Sequence, residues 1–161
     1  LDTLWLDSVP EEAGKHIKKV YKGKVEDLDI RKLRKPEWLA ENLDNPLRHW
    51  DGSEFVPQSK FKKAVVIYRD TRREALAAAN QFTAGKENSI LQKQLEQIAK
   101  NFVIAFNKLE SKAWMIETEE REDICMAFEV ILDSVVDIVK DSGFEMDRKQ
   151  IYEIMNEHRE W

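Results

Sequence analysis

Five carboxylates fall at spacings that could hold a cation. Glu129, Asp133 and Asp137 recur at steps of four residues, and so do Asp70 and Glu74. A step of four puts side chains on one stripe of an α-helix. If the two stripes faced each other, Asp70, Glu74, Glu129 and Asp133 would offer hard oxygen ligands to magnesium, an ion suited to a pyrophosphate substrate. The simpler expectation is a solvated acidic stripe, paired with Lys62, Lys63, Arg69, Arg72 or Arg73. On that reading there is no cofactor.

One resemblance bears on the metal alternative. Glu119-Glu120-Arg121-Glu122-Asp123 loosely resembles the first half of the paired-glutamate signature of the all-α nucleotide pyrophosphohydrolases. The resemblance implies a magnesium-dependent enzyme. The second half of the signature has no counterpart, because the next acidic residues lie on the same helix with no intervening turn.

Other chemistries lack their residues. His16, His49 and His158 stand far apart, and no His or Cys spacing typical of zinc occurs. Phosphate-loop, dinucleotide and nucleophile-elbow motifs are missing. Cys125 is the single cysteine, so no internal disulfide can form. It lies within Ile124-Cys125-Met126-Ala127-Phe128, where a buried, inert thiol is expected.

The elements that carry these residues read as helices. Phe61, Val65, Tyr68, Arg72, Leu76, Ala79 and Phe82 recur at three- and four-residue steps, and Gly85 is the expected stop. Leu91, Leu95, Ile98, Phe102, either Ala105 or Phe106, Leu109 and Ala113 form a second seam, opposite Lys93, Gln97, Lys100 and Asn107. A third helix opens on Thr118 and Glu119, runs to Asp141 and stops at Gly143. It is apolar around most of its circumference, which predicts that neighbours enclose it. Asp147 and Gln150 have capping-box spacing and start a last helix, expected to fray toward Trp161. The fold class is therefore all-α: an antiparallel bundle of three long helices (59–83, 89–116 and 118–142) with a C-terminal helix (147–158).

Residues 1–58 read as an irregular helical segment of the same domain, with 59–161 as the core. Ser8, Pro10, Glu11 and Glu12 mark a helix start, and Gly23 its end. Pro36, Pro46, Gly52 and Pro57 break the rest into turns. No strand alternation is expected. Asp51-Gly52-Ser53-Glu54-Phe55 also has the form of a cloning-derived junction, an alternative that would make two pieces of the chain. The first residue is Leu1, which leaves room for a segment removed upstream.

Charge narrows the function. Net charge is zero over residues 1–50, +4 over 51–115 and −9 over 116–161. Nucleic-acid binding needs clustered cations and is disfavoured. The basic run from Lys15 to Lys35 reads as a solvated face. No apolar stretch approaches the roughly 20 residues that span a bilayer, so a cytoplasmic protein is expected. Trp5, Trp38 and Trp50 either pack the first segment onto the bundle, the preferred reading, or anchor a partner.

The favoured function is a non-enzymatic interaction module, monomer or homodimer. Its acidic section, with Glu129, Asp133 and Asp137, would bind a basic protein, in the manner of an inhibitor or immunity-type protein. The alternatives are the magnesium enzyme and a helical oligomerisation domain built on the seam in residues 89–113.

Overall fold

The first residues alternate and form strands, contrary to the all-helical expectation for this segment. In the computed structural model, which describes residues 2–82, 87–111 and 115–161, β1 (Thr3–Asp7) pairs in parallel with β2 (Asp27–Arg31). Helix α1 (Glu11–Tyr21) makes the crossover that parallel pairing requires. Asp27-Leu28-Asp29-Ile30-Arg31 alternates cleanly. In β1 the outward Trp5 breaks the polar half of the pattern, which hid it. Ser8 does not cap α1: it has φ 58°, and Pro10 precedes the first turn instead. A Cβ on Gly14 would lie 2.2 Å from Leu33 Cδ2, so glycine permits this close packing. Helix α2 (Pro36–Asn42) follows.

The chain divides into two compact units, Leu1–Asn45 and Pro46–Trp161. The division falls before the proposed junction at residues 51–55. Leu47, Trp50 and Val56 are buried in the core of the second unit, so residues on both sides of that junction share one core.

The second unit is the bundle. It contains α3 (Gln58–Gln81), α4 (Asn88–Glu110), α5 (Thr118–Val139) and α6 (Arg148–His158). The expected end of α3 at Gly85 lies outside the described residues, as does Ala113 of the expected α4 seam. Helix α4 ends at Glu110, short of the expected 116, because the Glu110 carboxylate turns back to accept from the Met115 and Ile116 N–H groups, which are not helical. Helix α3 packs against both α4 and α5. Its innermost residues are Phe61, Ala64, Tyr68, Thr71, Ala75 and Ala79. The expected seam included Val65, Arg72 and Leu76. Small side chains take the centre because two neighbours must approach one helix closely, and Val65 and Leu76 pack at the flanks. The α4 seam is as expected: Leu91, Leu95, Ile98, Phe102, Phe106 and Leu109 are all buried.

Helix α5 differs from expectation. Ile124, Ala127, Phe128, Ile131, Leu132, Val135 and Val139 are buried along one side. Met126, Val130, Val136 and Ile138 are exposed. Each rod of a small bundle keeps an outward face, so apolar residues around a helix do not guarantee enclosure. A capping box between Glu117 and Glu120 starts α5. Gly143, at φ 77°, turns the chain after it, a conformation that glycine adopts without strain.

Two amides of α4 fasten α6 at its two ends. Gln92 donates to the Asp147 carbonyl at 3.1 Å and accepts from its N–H at 3.0 Å. Asn107 donates to the His158 carbonyl at 2.7 Å and accepts from the Glu160 N–H at 3.2 Å. Asn107 therefore does not sit on a solvated face. The helix ends at His158, and the non-helical residues beyond it are held in place, with Trp161 packed against the core. Replacing both Gln92 and Asn107 by alanine removes the four hydrogen bonds that hold the ends of α6, each worth about 1 kcal/mol. Amides of α6 should then exchange at least about tenfold faster, while those of α3 keep their protection. Unchanged exchange in α6 would show that apolar contacts alone hold it.

Candidate functional site

The outward face of α5 combines charge with exposed apolar area. Steps of four and seven residues along the helix place Glu122, Met126, Val130, Asp133 and Asp137 together. Met126 is 61% exposed and Val130 38%. Glu122 and Asp137 are exposed and have no ion-pair partner among the described residues.

The side of α5 that meets α6 is occupied. Arg148 binds Glu129 Oε1 at 2.8 Å and Asp133 Oδ1 at 2.7 Å. Tyr152 donates its hydroxyl proton to Glu129 Oε2 at 2.5 Å. The partners expected for this stripe were cations of α3. They come from α6 instead, which lies beside Glu129 and Asp133. On α3, Asp70 pairs with Arg73 at 3.1 Å, and Glu74 is exposed. Among the described residues no three His, Cys, Asp or Glu side chains gather to hold a metal ion. Asp70 and Glu74 therefore do not join Glu129 and Asp133 in a ligand cluster.

Two contacts went unseen in the sequence. His49 Nε2 lies 2.6 Å from Asp123 Oδ2, and the Trp50 indole N–H donates to the same oxygen at 2.8 Å. A carboxylate can only accept, so His49 carries its proton on Nε2. The two partners sit more than seventy residues from Asp123 in sequence, so no motif could reveal them. His49 makes no hydrogen bond to a hydroxyl or thiol among the described residues. Cys125 is half-buried, and burial pushes its thiol pKa up. That keeps the thiol protonated and poorly reactive at neutral pH.

Tyr152 gives a pH signature. Burial first, and Glu129 second, push its hydroxyl well above the ordinary 10.0. A raised folded-state pKa contributes stability that is fully present below the unfolded pKa and lost as pH rises beyond it toward the folded value. Tyr152 should ionise above the ordinary tyrosine range in an absorbance titration. Tyr152→Phe should flatten the loss of stability above pH 10. An equally steep alkaline loss in the variant would assign it to another group.

The tryptophans fall in different settings. Trp5 is 70% exposed, so it does not pack as preferred from the sequence, and its N–H reaches Asp27 Oδ2 at 2.8 Å. Trp38 lies under the Arg34 guanidinium, 4.0 Å from its ring centre. Trp50 is 2% exposed and belongs to the bundle core.

Comparisons with protein-family models, curated proteins and solved structures return no match. The candidate surface therefore rests on its own chemistry. Among the described residues, no helix is long and apolar enough to cross a membrane.

Proposed function

We propose that the protein is a non-enzymatic helical interaction module whose acidic C-terminal section binds a basic partner protein. One observation carries the reading: Met126 and Val130 are exposed on α5 between Glu122, Asp133 and Asp137. An apolar centre ringed by one sign of charge supplies contact area, while the ring steers a partner of opposite sign. The −9 net charge of residues 116–161 extends that field. One concrete form is an inhibitor or immunity-type protein that covers the phosphate-binding surface of a nuclease. The lone unpaired thiol suits a cytoplasmic setting. The reading allows a monomer or a homodimer.

Capture from cell extract at low and high salt tests it. Partners retained at low salt should be basic and should be released as salt screens the acidic face. A partner whose retention ignores ionic strength would overturn the electrostatic part of the proposal.

A further inference from the structure

A second surface of the bundle has the opposite charge. The first turns of α3 and the last turns of α4 line an open, shallow groove of about 540 Å³. Val66, Ile67, Ala105 and Leu109 provide apolar lining, and Lys60, Lys62, Lys63 and Lys108 stand around it. Lys60 is committed to structure, because its Nζ donates to the Leu109 carbonyl at 2.6 Å near the C-terminus of α4. Lys62, Lys63 and Lys108 have no ion-pair partner among the described residues. The neighbouring Glu110 carboxylate is turned to other donors, the Met115 and Ile116 N–H groups.

We infer that this groove binds a small amphiphilic anion, with an apolar body against Val66, Ile67, Ala105 and Leu109 and a carboxylate or similar head among the three lysines. Charge complementarity fixes the sign of the head. The volume lies within the roughly 300–1,000 Å³ typical of small-ligand sites. The groove lies on α3 and α4, so the inference stands apart from the α5 proposal.

The test titrates the full chain with decanoate and, in parallel, with decyltrimethylammonium. Methyl resonances of Val66, Ile67 and Leu109 are followed. Decanoate should saturate one site, with shifts centred on these methyls, and the cation should bind at least tenfold more weakly. Replacing Lys62, Lys63 and Lys108 together by glutamate should weaken decanoate at least tenfold. These lysines touch no buried partner, so the fold should persist, as checked by near-ultraviolet circular dichroism. Ala105→Phe, which fills the groove, should abolish the shifts; if that variant unfolds, the lysine variant decides. Equal binding of both amphiphiles, undiminished decanoate binding in the lysine variant, or shifts elsewhere would overturn the inference. So would binding of an acidic amphipathic peptide at these methyls without binding of decanoate.

Discussion

Phe128→Ala is expected to destabilise the bundle unit by about 3–5 kcal/mol, the range for truncating a buried aromatic side chain. Phe128 has no exposed surface. Its ring lies 5.0 Å from that of Phe102, which lies 4.9 Å from Phe106. Phe106 in turn meets Trp50 edge-on at 6.5 Å. This aromatic chain links α5, α4 and the turn before α3, so a cavity at Phe128 removes contacts that neighbours cannot all recover. Urea unfolding should show a lower midpoint with an unchanged slope. Val130→Ala, two residues away on the exposed side, should cost no more than about 0.5 kcal/mol. Similar losses for both variants would mean that the inner and outer faces of α5 are wrongly assigned.

The second large effect concerns association. Reversing Glu122 and Asp137 together to lysine should slow partner capture by about tenfold to a thousandfold at low salt, the range over which electrostatic steering acts. Neither carboxylate has an ion-pair partner among the described residues, so thermal stability should stay close to that of the parent chain. The difference should shrink as salt rises and screening shortens the reach of the field. Glu129 and Asp133 are poorer choices, because reversal there would also break the pairing with Arg148. Association rates measured with immobilised partner would decide the matter. Equal rates for parent and variant at low salt would remove Glu122 and Asp137 from the recognition surface.

The helices were legible because apolar residues recur at helical steps over twenty residues or more in α3, α4 and α5. The α4 seam could be named residue by residue except at one position, left open between Ala105 and Phe106, where Phe106 is the buried one. In α3 the period was right but the centre was displaced, since sequence alone does not say that two helices press on Ala64, Ala75 and Ala79. The strands were missed because five residues give little signal and Trp5 interrupts the alternation in β1. At the candidate site, the shared stripe of Glu129, Asp133 and Asp137 was readable from spacing. Which part of it stays open was not. Arg148 and Tyr152 reach it from a separate helix, through contacts that only tertiary structure creates. The exposure of Met126 and Val130 was hidden for the same reason: composition shows that a helix is apolar, while exposure depends on how many neighbours surround it.

The methionine methyl spectrum of the protein, recorded with and without a captured basic partner, tests the surface most directly. The chain has four methionines; Met115 and Met155 are buried and Met126 is exposed. Addition of partner should shift or broaden the Met126 signal and leave those of Met115 and Met155 in place. A complex that forms while the Met126 signal stays unchanged would contradict the assignment of α5 as the binding face.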